Sequence, residues 1–536
     1  MKRFLLLILI WILTKQGFTQ DTLIYHIIQT DKQGHILPWF NQNPAIAYDH
    51  VLHLIWNFWD TMRMDMNGIP YYMNHQVWQK DQNDPRGLGG DQLQMALSSW
   101  FLYYAYTGNE RIKENMRFMA DYYLTHGFSP PDCEWSNLPF PYNTLIYSGK
   151  YDGDMVIGKG FLQPDKAGSL GLELIKLYKM MSREWYPNKS EQQYLEASIE
   201  IANTLANKIK EGDENNSPLP FKVHAFTGKT GTLKEKGEIK LSSYTTNWSG
   251  TLELFENLIR LNTENSKNYQ KAFDILLSWM KKYPMKNNKW GPFFEDISGW
   301  SDTQINAMTW ARFIMNHQPL FPDWKEEVQN IMDWVYKELG NDQWKKYGVT
   351  VINEQTAYRV PGNSHTSRQA ADELLFWNLT GNKNIEGAIR KLNWATYMVD
   401  DDGKNRYPRD QNWLTDGYGD YVRHYLRAMA STPQLAPNEN HILSSTSIIQ
   451  SANYHFPPNP SQIAGQDKLP QRGILYQVYD KRGEEIIRMK HKPQRIFLDN
   501  KTIPEKKSGE GYVWSPLEEG GVLIIRREQG TKVEIF

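Results

Sequence analysis

Between residues 44 and 431, apolar side chains recur every three to four positions between breaks of Gly, Pro and Asn, the period of helices that bury one face. The segments that keep this period predict twelve helices, near 44–62, 91–107, 109–126, 165–183, 191–211, 246–262, 266–282, 301–317, 322–339, 364–380, 383–398 and 415–431. Their connections alternate in length. Thr107-Gly108-Asn109, the stretch 262–268 and Thr380-Gly381-Asn382 are tight turns, folding the second helix on the third, the sixth on the seventh and the tenth on the eleventh. Longer segments at 63–90, 127–164, 212–245, 283–300, 340–363 and 399–414 separate the pairs. Helices alternating up and down around a ring send every long segment to one end. The expected fold is therefore mainly α, an (α/α)6 toroid of six helical hairpins over residues 21–431, with a mouth where the even-numbered helices begin.

After residue 432 the pattern changes. Pro433, Pro437, Pro457, Pro458 and Pro460 predict an extended linker over 432–470. Short runs at 474–479, 485–489, 495–498, 512–514, 522–526 and 532–535, separated by turn residues, predict a small C-terminal antiparallel β-sandwich over 471–536. At the other end Lys2 and Arg3 precede an apolar run over 4–13, and Gly17-Phe18-Thr19-Gln20 follows it. This is the pattern of a signal peptide over 1–20, and the run is too short to span a bilayer. The expectation is a secreted or periplasmic chain with no membrane span and no lipid-accepting cysteine after the apolar run.

Charge and composition narrow the function. Sixty basic and 61 acidic residues give a net charge of −1, which supplies no basic field for nucleic acid. Cys133 is the single cysteine, so no intramolecular disulfide can form. Aromatic residues are abundant, with 20 Trp and 30 Tyr, and most serve a core because they bury large areas. Those near the mouth offer flat faces to sugar rings.

Each helix start at that mouth is polar: Gly90-Asp91-Gln92, Asp165-Lys166, Thr246-Asn247-Trp248, Ser301-Asp302, Ser364-His365 and Thr415-Asp416. Such residues cap helices by accepting bonds from the first free N–H groups. Helix N-termini gathered at one mouth also favour anionic ligands.

One constellation carries chemistry. Asn363-Ser364-His365 opens the tenth helix with Arg368 one turn on, and Arg409 and Tyr418 follow His365 by 44 and 53 residues at the start of the twelfth. An imidazole, a phenol, guanidinium groups and an amide are what proton abstraction beside a sugar carboxylate requires. The paired helices, the trailing β module and these residues resemble polysaccharide lyases of the alginate-, heparin- and ulvan-degrading type, and the architecture is similar to six-hairpin glycoside hydrolases. In the alginate type an adjacent Asn-His pair precedes an Arg and a Tyr; here Ser364 separates Asn363 from His365. The resemblance implies a secreted lyase that cleaves a uronate-containing anionic polysaccharide, ulvan-, alginate- or glucuronan-like, by β-elimination. It implies catalytic roles for His365, Tyr418, Arg409 and Asn363.

Around them, Arg368 and Asn247 are candidates to neutralise the carboxylate. Tyr244 and Tyr358 are further phenols on the long segments, and Trp248, Trp300 and Trp413 are candidate stacking platforms. Two alternatives stay open. Glycoside hydrolysis needs two carboxyl groups flanking the scissile bond, and Asp91, Asp165, Asp302 and Asp416 sit at predicted helix starts, with Asp420 and Glu295-Asp296 nearby. A non-catalytic glycan-binding protein would use the tryptophans alone. No phosphate-cradling loop or dinucleotide fingerprint occurs, so no organic cofactor is expected. His50 and His53 lack a third metal ligand at a recognisable spacing. A structural calcium would fall at Asp152-Gly153-Asp154 or Asp400-Asp401-Asp402-Gly403, both also ordinary acidic turns.

Overall fold

The computed structural model describes residues 21–62, 64–74, 90–145, 148–182, 189–235, 238–294, 300–382, 384–406, 418–456 and 473–536. The signal-peptide expectation over 1–20 lies outside them. Among the described residues no helix is long and apolar enough to cross a membrane.

Among the described residues, twelve helices of eleven residues or more form in the predicted places. They are α1 (Pro44–Asp60), α2 (Gly90–Thr107), α3 (Glu110–His126), α4 (Pro164–Met181), α5 (Lys189–Lys208) and α6 (Ser249–Arg260), then α7 (Ser266–Lys282), α8 (Gln304–Asn316), α9 (Trp324–Leu339), α10 (Asn363–Thr380), α11 (Glu386–Thr396) and α12 (Tyr418–Ser431). The even-numbered helices pack in sequence, and α12 returns to α2, which closes an inner ring. Each odd-numbered helix backs onto the inner helix it is paired with. The fold is an (α/α)6 toroid.

Small residues set the spacing of the inner ring. A methyl group added at Gly168 of α4 would lie 1.9 Å from Thr251 Oγ1 of α6, and one at Gly250 would lie 2.6 Å from Ser169 Oγ. Between α12 and α2 the approach is as close, because a Cβ on Gly419 would come within 2.4 Å of Ala96 Cα. Ser99 donates to the Gly419 carbonyl across the same contact. Bulk enters away from these seams. Trp59, Trp100, Trp248, Trp290, Trp310 and Trp394 are all fully buried, so most of the aromatic excess is core.

Among the described residues nine strands follow the ring: β1 (His441–Ser445), β2 (Ile449–Phe456), β3 (Gly473–Val478), β4 (Gly483–Met489), β5 (Ile496–Leu498), β6 (Lys501–Thr502), β7 (Gly511–Pro516), β8 (Gly521–Arg527) and β9 (Lys532–Ile535). They form two antiparallel sheets of order β1-β4-β8-β7 and β2-β3-β9-β5-β6. Between the sheets, Arg527 pairs with Glu485 through two bonds of 2.8 Å, and the Tyr476 hydroxyl donates to the same carboxylate at 3.1 Å. Residues 441–456 correct the linker expectation. The prolines stand before β1 and after β2, so they bound two full strands rather than interrupting a ladder.

The β module docks on the end of the ring away from the mouth. His441 stacks on Tyr106 at 4.0 Å with Nδ1 2.8 Å from the Tyr106 carbonyl, and Gln450 Nε2 donates to the carbonyls of Lys179 and Ser182 at 2.8 and 2.6 Å. These acceptors are the C-terminal ends of α2 and the α4 segment, where free carbonyls accumulate. The mouth is thus built from the toroid's own long segments.

Candidate active site at the helix N-termini

At the mouth the polar helix starts do little side-chain capping. Asn43 and Asn109 cap the outer helices α1 and α3 through their side chains. The residues preceding α4, α6, α8 and α10 make no side-chain capping bond. The first N–H groups of α8 and α10 are met in other ways, Gln304 by the Glu354 carbonyl at 3.1 Å and Ser364 by Asn363 Oδ1 at 2.7 Å, and the polar side chains that follow tie the inner helices to one another.

His365, in the first turn of α10, is buried, and neither ring nitrogen has a hydrogen-bond partner among the described residues. Burial, reinforced by the Arg368 guanidinium, lowers its pKa to about 3, so the ring is a neutral imidazole at any ordinary pH. Phe294 lies against it, with ring centroids 5.9 Å apart. Buried polar groups are nearly always bonded, and an imidazole with two open nitrogens is an exception that a ligand would explain.

Arg368 stands one turn further on. Its Nη1 donates to Gln304 Oε1 of α8 at 2.7 Å, and its Nη2 pairs with Asp420 of α12. Asp420 also pairs with Arg423, which donates to Ser98 Oγ of α2 at 2.6 Å. Burial alone would push the Asp420 carboxyl up, but the two guanidinium groups outweigh it and hold it well below the usual range. His424, fully buried beside Asp420 at 3.3 Å, is held neutral by burial. Asn363 is engaged as well, donating to Asn405 and accepting from the Ser364 N–H at 2.7 Å.

A second polar cluster faces it from α4 and α6. Asp165 is buried; its Oδ2 accepts from Asn247 Nδ2 at 2.9 Å and Lys166 Nζ at 3.3 Å, while its Oδ1 has no partner among the described residues. Behind it Lys222 bonds Asp154 at 3.0 Å, and Asp154 also accepts from Gln163 at 2.7 Å. Burial lowers the Lys222 pKa, and Asp154 opposes the shift.

Between the clusters runs the segment 290–294, pinned by bonds to three helix starts. Asp302 Oδ1 accepts from the N–H groups of Trp290 and Gly291 at 2.7 and 2.8 Å. Thr246, Thr245 and Lys166 donate to the carbonyls of Trp290, Pro292 and Phe293 at 2.5, 2.9 and 2.8 Å. Phe293 packs with Met95 of α2 and Ile305 of α8, helices on opposite sides of the ring, in an apolar cluster separate from the main core. The segment therefore crosses the ring axis and floors the mouth.

Several expectations change at this point. Trp248 is no stacking platform: it is fully buried, and its Nε1 donates to the Thr245 carbonyl at 2.8 Å. Asp302 is occupied by the 290–291 backbone and by Trp300 Nε1 at 2.8 Å, which makes it an anchor. Tyr244 is buried, with its hydroxyl on the Lys289 carbonyl at 2.8 Å and its pKa raised by burial. Tyr358 is half-buried on the segment before α10, and Trp300 is partly exposed on the rim. Of the two acidic turns, Asp154 is taken by Lys222, and Asp400 by Arg406 at 2.6 Å. His50 stacks on Phe40 at 3.5 Å. Arg409, Trp413, Asp416 and Glu295-Asp296 lie outside the described residues, as do the side chains of Asp91 and Tyr418.

Gln304, Arg423, His424 and Lys222 were not singled out from the sequence, and Lys166 was read only as part of a polar helix start. Asp420, Arg423 and His424 carry a signal, three titratable residues at i, i+3 and i+4 on one helix face. Lys222 and Asp154 carry none, being 68 residues apart.

No protein-family model matches the chain, and no curated protein matches it in sequence. Solved structures do. A D-mannose isomerase aligns with a TM-score of 0.50 at 10% identity, over 72% of this chain and 96% of its own. A cellobiose 2-epimerase from Bacillus thermoamylovorans B4167 aligns with a TM-score of 0.50 at 14% identity, over 71% and 97%. A family 76 glycoside hydrolase from a bovine Bacteroides thetaiotaomicron strain aligns with a TM-score of 0.44 at 11% identity, over 72% and 77%. At these identities the likeness is one of fold: the chain is similar to six-hairpin (α/α)6 enzymes.

Proposed function

We propose that the chain is a secreted carbohydrate-active enzyme that cleaves a uronate-containing anionic polysaccharide by β-elimination at this mouth. The observation that carries the reading is His365, a neutral buried imidazole with both nitrogens unpartnered among the described residues, one turn from a buried guanidinium. Two aligned structures named for sugars, a D-mannose isomerase and a cellobiose 2-epimerase, support a carbohydrate substrate on this fold.

In this scheme the substrate carboxylate is neutralised by the positive end of α10, Arg368 and Arg409, so that charge developing beside it is stabilised. One of His365 and Tyr418 takes the proton next to the carboxylate, the electron pair forms the new double bond, and the 4-linked oxygen leaves with a proton from the other. The imidazole, a weak base while buried beside Arg368, gains basicity only when the substrate carboxylate is beside it. Asn363, tied to Asn405, positions the start of α10.

Hydrolysis is the second reading, favoured by one observation: the buried Asp165 oxygen without a partner among the described residues. The test is to incubate the protein with a panel of acidic polysaccharides and follow the ultraviolet absorbance of the unsaturated uronide. Elimination makes the absorbance rise, and His365→Ala abolishes the rise while leaving the fold intact by circular dichroism. New reducing ends without absorbance would overturn the lyase and move attention to Asp165.

A further inference from the structure

Trp300 is unlike the six fully buried tryptophans: 37% of its surface is exposed, yet its orientation is fixed. Its Nε1 is bonded to Asp302 Oδ2 at 2.8 Å, and Tyr244 packs against it with centroids 5.0 Å apart. Gly291 lies beneath both rings; it has a φ of +66°, and a Cβ there would come within 2.7 Å of Tyr244 and 3.5 Å of Trp300. Lys289 Nζ lies 4.9 Å from the centroids of both Trp300 and Tyr244. It is held there by the Glu214 carbonyl at 2.8 Å and Asn215 Oδ1 at 3.2 Å. Five residues thus keep one indole still and place one ammonium beside it.

Packing leaves over a third of the indole in solvent, and among the described residues the Lys289 ammonium is paired with neutral oxygens rather than with a carboxylate. A rigid aromatic face costs little entropy when a ligand settles on it, and an ammonium 4.9 Å from the ring centroid can add a charge-assisted bond to an acidic group.

The position matters as much as the chemistry. From Trp300 the chain runs to Gln304, the residue that holds Arg368, and Thr303 on this stretch is extended and bridged to Gln355. Four residues of extended chain span roughly 13 Å. The platform therefore stands at the rim, several sugar units at most from the central imidazole.

We propose that Trp300 and Lys289 form an outer subsite that binds an acidic sugar residue of an oligomeric substrate, the ring stacking on the indole and its carboxylate meeting the ammonium. The assignment rests on the reading of the chain as an enzyme of acidic glycans. It predicts that affinity rises with chain length until a sugar unit reaches the rim.

The experiment measures KM and calorimetric affinity for uronate oligosaccharides of increasing length in wild type, Trp300→Ala, Trp300→Phe and Lys289→Met. In Trp300→Ala the ratio of wild-type to variant affinity grows with length to roughly five- to tenfold, the worth of one aromatic contact, and Trp300→Phe recovers most of it. Lys289→Met loses affinity for uronate oligosaccharides but not for their methyl esters. A loss equal at every length, or none at any length, overturns the subsite while leaving the proposed reaction standing. Wild-type protein that neither binds nor turns over any acidic oligosaccharide overturns both.

Discussion

Gln304 accepts a hydrogen bond from Arg368 Nη1 at 2.7 Å, and through it the start of α8 is tied to the start of its ring neighbour α10. The other end of the guanidinium holds Asp420 of α12, so one side chain fixes three helix starts. Removing it leaves the Asp420 carboxylate buried with less compensation. Arg368→Ala should lower the unfolding free energy by about 3–5 kcal/mol, the cost of breaking one side of a buried pair. Denaturant titration would measure it, and a loss below about 1 kcal/mol would show that Arg423 alone satisfies the carboxylate.

Asp302 makes a contrasting prediction. Its oxygens hold the Trp290 and Gly291 N–H groups and the Trp300 indole. Asp302→Ala should release the segment 290–294 that floors the mouth. Faster hydrogen exchange at Trp290 and Gly291, with a loss of about 1–3 kcal/mol for the orphaned donors, is the expected result. A catalytic carboxylate would behave otherwise: activity would vanish with exchange unchanged.

The helices were legible because their burial is one-sided and periodic; α7 spans 266–282 as its pattern predicts. The toroid followed from alternating connection lengths, which reflect chain direction and not side-chain detail. The mouth was legible only where neighbours in space are neighbours on one helix, as with His365 and Arg368. Trp248 was misassigned because a helix-start indole looks the same in sequence whether it faces the cleft or the core. Lys222 and the 290–294 segment escaped because their partners come from other turns of the ring, and no local spacing encodes that.

Two glycines near helix starts should respond with opposite sign to the same substitution. Gly419 of α12 faces Ala96 Cα so closely that Gly419→Ala must push two inner helices apart, at about 1–3 kcal/mol. Gly387 of α11 has nothing nearer than the end of Lys391 at 4.0 Å, so Gly387→Ala should stabilise by up to about 1 kcal/mol through helix propensity. Thermal melts of the two variants decide it. Equal shifts would mean the inner ring yields more easily than its spacing implies.

Acid should destabilise the protein earlier than its carboxylates alone require. His365 is held to about 3 by burial, and burial lowers His424 as well. In the unfolded chain both take protons near pH 6.5, so below that pH the unfolded state binds protons that the folded state refuses. Stability contributed by the neutral rings is complete above about pH 6.5 and is lost as pH falls toward 3. The carboxyl of Asp420, held low by Arg368 and Arg423, adds a further loss below its usual range. Urea midpoints at pH 7.5 and 4.5 would show the fall, and His365→Asn, which cannot titrate, should fall less steeply than wild type. Parallel pH profiles for the two proteins would mean that the imidazole exchanges its proton with solvent in the folded state and is not buried.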